Sequence, residues 1–416
     1  MRRSTLALTT LALATAVVGC RREGSNPPPP PSTVADEDAG GTDAGGDDSG
    51  SPSPSTAKCE LVRDGFGPAG EVAVRAEKVA TGLEVPWGLA FLPNGDVLFT
   101  ERPGRIRLLH EGELVEEPVA TVPVTKTRGE GGLLGITLAP DFEQSRAFYV
   151  YYTHQKPEGG EVNRVERWKL SEDSRSASAE KVILDDIPAA RNHDGGRMHF
   201  GPDGMLYVGT GDAAKPDLSQ DLDSLAGKIL RITPEGDVPD DNPWPGKRAF
   251  IAGIRNTQGF AFRDDGALIV TDHGPSGELL GRRGHDEVSV ARPGSNLGWP
   301  TIYACETQDE LVTPVLTWVT AAPPGGAALY QGDAIPEWKD SLLVGVLGGR
   351  HLHRVVFDGD EVAHHEVYFR GDPPGGLGRI RDVKVGPDGN VWLTTSNCDG
   401  RGTCPADKDW IVKITK

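Results

Sequence analysis

The feature that most narrows what this chain can become is a hairpin written four times. "GLAFLPNGDVLFTE", "MHFGPDGMLYVGTGD", "GFAFRDDGALIVTDHG" and "DVKVGPDGNVWLTTSN" each join an apolar strand, an Asn-Gly or Asp-Gly turn and a second strand. Those dipeptides accept the positive φ angles of tight turns, so each stretch reads as a β-hairpin. "GITLAPDFEQSRAFYVYYT" and "ALYQGDAIPEWKDSLLVGVLG" are degenerate copies, giving six units that begin near residues 86, 133, 196, 257, 326 and 380. A further strand follows the hairpins, as in "GRIRLL", "VERWKL", "GKILRI", "DEVSVA", "HLHRVVF" and "WIVKITK". Antiparallel units recurring every ~50–70 residues predict propeller blades around a central channel. The expected fold is therefore all-β, a six-bladed β-propeller in one domain over residues 58–416. The early strand "VRAEKVATGL" is expected to complete the last blade beside "DWIVKITK" and close the ring.

The 54 glycines and 33 prolines agree with so many turns. A net charge of −18 argues against a nucleic-acid partner, which needs a basic face. At the N-terminus, Arg2 and Arg3 precede "STLALTTLALATAVV", an apolar run too short to span a bilayer comfortably. It ends in "VVGC", which resembles a bacterial lipobox. Residues 1–19 are thus expected to be a lipoprotein signal peptide and Cys20 the lipidated residue, the alternative being an ordinary secretory signal. The protein would then be exported, on the periplasmic side of a membrane or on the cell surface. Residues 20–57, rich in Pro, Gly and Asp, have almost nothing to bury and read as a disordered tether. Cys59, Cys305, Cys398 and Cys404 remain, an even count that fits two disulfides with three pairings open. Cys398–Cys404 is the easiest closure and would leave Cys59–Cys305.

Loops at the blade junctions of a propeller converge on one face. Here they carry Arg191, Asn192, His193 and Asp194, then Asp212, Arg255, Asn256, His273, Arg379 and Arg381. His193 lies on the run-in to an inner strand, and Asp212 on the loop leaving the next strand. A histidine near a carboxylate suits general-base work, because the acid orients the ring and stabilises imidazolium. Several arginines on an otherwise acidic chain point to an anionic ligand, a polycarboxylate or phosphate. Each residue taken alone also reads as a turn cap or a solvated ion pair.

In order along the chain, "NHDGGRMHFGPDGMLYVGTGD", "SQDLDSLAGKILRI", "RNTQGFAF", "DHGP", "NLGWP", "TAAPPGGAALYQGDAIPEW" and "IRDVKVGPDG" resemble the soluble pyrroloquinoline quinone (PQQ)-dependent glucose/sorbosone dehydrogenases, in particular the aldose sugar dehydrogenase branch. The resemblance runs from about Pro86 onward and implies a six-bladed propeller, with PQQ and Ca2+ as cofactors. It implies an aldose substrate oxidised at C1 to its lactone, hydride passing to PQQ C5, and electrons leaving to a quinone or cytochrome. His193 matches the catalytic base, Asp212 the acid that orients it, and Arg255 with Asn256 the pair beside the reactive carbonyls. Arg379 and Arg381 match the arginines that hold PQQ carboxylates, and His273 stands with them in the cofactor site. Gly274 and Pro275 match the main-chain calcium ligands, and Asp286 an acid close to that ion. The family's cofactor-contacting glutamine is Glu130 here, and its lysine is Gly348, with Arg350 two residues on as a substitute. Two other readings compete: a calcium lactonase-type hydrolase, and a non-catalytic propeller lipoprotein that binds saccharide or protein.

Overall fold

Six sheets form the ring, and their inner strands are Pro86–Phe91, Leu133–Leu138, Met198–Phe200, Gly259–Phe262, Pro324–Leu329 and Ile380–Val385. All six begin within a few residues of the starts read from the hairpin repeat. The computed structural model describes residues 58–125 and 129–416, within the unit Ser55–Lys416. The expected leader, Cys20 and tether lie outside the described residues. At the hairpin tips Gly204 and Gly266 have φ of 74° and 83°, and nothing lies within 4 Å of a Cβ built on either. Positive φ, rather than crowding, selects glycine there. The helical elements among the described residues are three short turns, Phe142–Ser145, Pro216–Ser219 and Pro336–Trp338.

Arg75–Leu83 pairs antiparallel with Asp409–Thr415, so the first and last parts of the propeller share the sixth blade, as the sequence predicts. The residues before that strand do more than the sequence analysis foresaw. Glu60–Val62 adds in parallel to Leu316–Trp318 at the edge of the fourth blade, and Ala69 bridges Val367 at the edge of the fifth. One segment thus staples three successive blades. Cys59–Cys305 ties its start, and Cys398–Cys404 is the second disulfide.

Neighbouring blades meet through apolar faces. Tyr149, Tyr151 and Val165 of the second blade pack with Met198, Val208 and Leu230 of the third, all buried. The centre is different, because it is polar and buried. Arg197, just before the third inner strand, meets Asp382 of the sixth at 2.8 Å, with side chains 2% and 1% exposed. Arg197 Nε donates to Gln258 O (2.8 Å), and its guanidinium lies 4.5 Å from the Trp87 ring centre. Asp382 Oδ2 accepts the Leu89 amide (3.0 Å). A Cβ on Gly326 would stand 2.4 Å from Asp382 Oδ1, and one on Gly135 only 2.1 Å from Gly196 O. Five of the six blades therefore place a residue on this pair, and Gly135 of the second packs against Gly196, the residue before Arg197.

Asp382→Ala would leave a buried guanidinium unpaired, and a stability loss of about 3–5 kcal/mol is expected in urea titration. Arg197→Met combined with Asp382→Leu should recover most of that loss. A loss below about 1 kcal/mol for the single variant would mean that water reaches the pair.

Candidate active site at the blade junctions

The loop between the second and third blades carries His193 at φ 69°, a left-handed backbone that a non-glycine residue holds only when its surroundings impose it. Asp194 is one of those constraints. Its Oδ1 accepts Ala190 N and Asn163 Nδ2, each at 3.1 Å, and its own carbonyl takes the Tyr151 hydroxyl (2.7 Å). Glu130 is another, accepting the His193 amide on Oε2 (3.0 Å). The ring then meets Asp212, Nδ1 to Oδ1 at 2.7 Å. Asp212 is fully buried, and its second oxygen accepts Trp299 Nε1 (2.9 Å). Nδ1–H facing the carboxylate leaves Nε2 as the basic nitrogen, and His193 lines the pocket.

Asp272 organises the next two residues. Its carboxylate accepts Arg255 N on Oδ2 (2.7 Å) and Asn256 N on Oδ1 (2.6 Å). Burial raises its pKa to about 7. Asn256 Oδ1 accepts Gly195 N (3.0 Å), while Nδ2 lies 3.1 Å from Glu130 Oε2 and 3.2 Å from His273 Nδ1. His273 Nε2 sits 2.6 Å from Pro324 O, so Nε2 carries the hydrogen and Nδ1 accepts from Asn256. Burial lowers the His273 pKa to about 3, which keeps the ring neutral. Arg255 is clamped by the loop after it: Nε donates to Glu278 Oε1 (2.7 Å) and Nη2 to Ser276 Oγ (3.3 Å). Neither Asp272, Trp299 nor Glu278 was singled out from sequence. Asp272 stands one residue from the His273 that was, and Trp299 lies in the "NLGWP" motif.

His193, Glu130, Arg255 and His273 line a cavity of about 200 Å³, together with Arg379, Arg381, Gly274, Pro275, Asp286 and Arg401, whereas Asp212, Asp272 and Asn256 lie behind its wall. Arg379 Nη2 and Arg381 Nη2 both reach Asp399 Oδ2, at 2.8 and 3.3 Å. Arg381 Nη1 also binds Gln258 Oε1, whereas its Nε is buried without a partner. Burial, with Arg379 and Arg102 close by, lowers the Arg381 pKa to about 9 despite the pull of Asp399, so the group stays cationic. An unpartnered N–H on a buried cation suits a planar polycarboxylate such as PQQ.

The calcium assignment is tested by the other wall. Gly274 packs so closely that a Cβ would lie 2.0 Å from Gly284 O. Pro275 O accepts the Gly284 amide (3.0 Å), and no hydrogen bond ends on the Gly274 carbonyl among the described residues. Asp286 is buried, with Oδ1 on Gly274 N (3.0 Å) and Oδ2 on Ala322 N (2.7 Å), and burial raises its pKa to about 6. It shapes the Gly274 turn through those bonds. No group of three or more His, Cys, Asp or Glu is arranged to hold a metal among the described residues, so a hard cation would rely on main-chain oxygen.

Two expectations about charge need correction. Arg350 does not reach the cavity: it pairs with Asp372 at 2.6 Å and is absent from the lining. It sits in the turn between two strands at φ 54°, with its guanidinium committed to Asp372. Gly348 itself has no room for a lysine, because a Cβ there would meet Pro323 Cδ at 2.5 Å. The compensating cation is Arg401, which sequence analysis missed. It pairs with Glu130 at 2.9 Å. Burial pushes the Glu130 carboxyl up, but the Arg401 charge and the bonds from Arg401 and the His193 amide hold it below the usual carboxylate value.

A histidine held by a buried carboxylate, at the wall of a cavity lined by four arginines in a six-bladed propeller, is the arrangement the sequence resemblance implies. The chain belongs to the glucose/sorbosone dehydrogenase family, whose model matches residues 83–404. It is 34% identical over 356 residues to the aldose sugar dehydrogenase YliI of Escherichia coli K12, covering 80% of this chain and 92% of that protein. The PQQ-bound aldose sugar dehydrogenase of Streptomyces coelicolor superposes with a TM-score of 0.73 at 34% identity, over 84% of this chain and 99% of the other. An oxidoreductase (glucose dehydrogenase) of Thermus thermophilus gives a TM-score of 0.74 at 42% identity, over 82% and 100% of the two chains.

Asp194 Oδ2 is buried and unpartnered, and burial raises this carboxyl from 3.8 to about 7. The folded-state value lies above the unfolded one, so ionising Asp194 costs stability. That cost is absent below about pH 4, grows as pH rises and is complete above about pH 7. Asp194→Asn should therefore raise the unfolding midpoint relative to wild type at about pH 8, by on the order of 2–4 kcal/mol in stability, and much less at about pH 5. Thermal unfolding of both proteins at the two pH values checks this. An equal difference at both would assign the effect to packing.

Proposed function

We propose that this protein oxidises an aldose at C1 to its lactone, using PQQ with calcium and passing the electrons to a quinone or cytochrome carrier. The observation that carries the reading is the His193 Nδ1–Asp212 Oδ1 contact of 2.7 Å at the wall of the arginine-lined cavity. When bound, PQQ accepts the two electrons of the sugar and calcium polarises its quinone.

The chain supplies orientation and the proton path. Asp212, held by Trp299, keeps the hydrogen of His193 on Nδ1, and Nε2 takes the proton of the anomeric hydroxyl. The buried carboxylate stabilises the imidazolium that results. Arg379 and Arg381 would hold cofactor carboxylates and Arg255 the quinone oxygens, whereas Asn256, expected beside Arg255, is fully buried off the cavity wall and instead positions Glu130 and the Gly195 amide. The Gly274 and Pro275 carbonyls would hold the cation, with Asp286 fixing their turn. His273, neutral and bonded on both nitrogens, orients Asn256. The proposal includes export and membrane attachment through lipid on Cys20, which the "VVGC" sequence supports.

The test is to load the protein with PQQ and calcium and follow dye reduction over a panel of aldoses. His193→Ala should lower turnover by roughly two to four decades while PQQ affinity changes little. Asp212→Asn should have the smaller effect. Near-normal turnover of His193→Ala would reject the mechanism. Absence of PQQ binding with calcium present would leave a saccharide- or protein-binding propeller as the better reading.

A further inference from the structure

Residues 398–404 form a loop closed on itself by Cys398–Cys404, and it sends two side chains of opposite charge toward the cavity. Asp399 points inward. Its side chain is 2% exposed, and Oδ2 takes Arg379, Arg381 and the Ser396 hydroxyl (3.0 Å). Arg401 points across. Its own amide is pinned to Asp399 Oδ1 (2.9 Å), Nη1 donates to Glu130 Oε1 (2.9 Å) and Nη2 to Asn192 Oδ1 (3.0 Å). Glu130 in turn holds the His193 amide, and Asn192 is the residue immediately before His193. One guanidinium from the sixth blade therefore grips both elements that frame the histidine.

We propose that this disulfide-closed loop is a latch, with Arg401 as a positioning residue that holds His193 in its working orientation through Glu130 and Asn192. The inference rests on the reading of His193 as the base. The Arg401 side chain is 50% exposed, so its ion pair alone adds little stability. Its effect is geometric. A rigid planar fork engages two acceptors on separate loops at once, which a lysine ammonium on a flexible stem does poorly. His193 needs that support because its backbone is left-handed, and Asp212 fixes only the ring. The disulfide matters for the same reason. Gly400 and Gly402 flank Arg401, and without the cross-link this glycine-rich segment would sample many more conformations.

The first measurement uses cofactor-free protein and amide hydrogen exchange. Arg401→Ala should speed exchange of the His193 amide by about tenfold, with the strand Ile229–Ile232 unchanged. Arg401→Lys should fall between the two. Cys398→Ser with Cys404→Ser should reproduce the effect, and adding Arg401→Ala should bring no further change, since both remove one contact. With the enzyme loaded, each variant should lose about tenfold in kcat with KM shifted by less than about twofold. Unchanged His193 exchange in Arg401→Ala overturns the latch. So does additivity of the cysteine and arginine changes, which would mean the disulfide acts on the fold at large. Turnover surviving in His193→Ala would reject the base reading instead, and is told apart because the exchange measurement needs no turnover.

Discussion

The Arg197–Asp382 pair on the propeller axis is the constraint around which the rest is arranged. A ring of six sheets leaves a central gap where no sheet face can pack on another. Apolar side chains would fill it, but they would carry no directional demand for register. A buried ion pair does carry one, because each remaining N–H and lone pair must find a partner at hydrogen-bond distance. Here partners come from different blades, the Leu89 amide, the Gln258 carbonyl and the face of Trp87, while Arg197 Nη2 is buried without a hydrogen-bond partner. Glycine at positions 135 and 326 lets the backbones approach closely enough to seal the centre. The inner strands are thereby set in height and rotation, and the loops that follow them inherit that placement.

The site above the axis works by paired charges. Each lining arginine arrives with an acid: Arg255 with Glu278, Arg379 and Arg381 with Asp399, Arg401 with Glu130. Such pairing makes it feasible to concentrate cations in a partly dry cavity, and it pre-orients their remaining N–H groups. The acids also explain how Glu130 is tolerated where an anionic ligand is expected. It is committed to Arg401, to the His193 amide and to Asn256, so its charge is neutralised within the protein.

Much of this was legible in the chain and the rest was not, for identifiable reasons. The Asp-Gly and Asn-Gly turns are local, and a period of strand–turn–strand leaves its mark on every copy. His193 and Asp212 flank one hairpin, so their proximity follows from local geometry. Arg401 leaves no signal in the chain, because it lies 271 residues from Glu130 and meets it only in the closed ring. Arg350 is near Gly348 in sequence but not at the cavity in space, because its guanidinium is held by Asp372. The stapling role of Glu60–Ala69 left no periodic signal at all, being one short parallel pairing and one bridge.

By itself the sequence determined the blade count, the ring closure by Arg75–Leu83 and the pairing of His193 with Asp212. Each depends on contacts between neighbouring residues or on a repeat that reports its own geometry. The tertiary structure alone decided which cations face the cavity, which acids neutralise them and how the axis is filled. Those outcomes depend on pairs such as Arg401 with Glu130, 271 residues apart, and Asp382 with the Leu89 amide, 293 apart, brought together only when the sixth blade closes against the first. Charge in a low-dielectric cavity is settled by distance in space, and no local pattern in the chain encodes it.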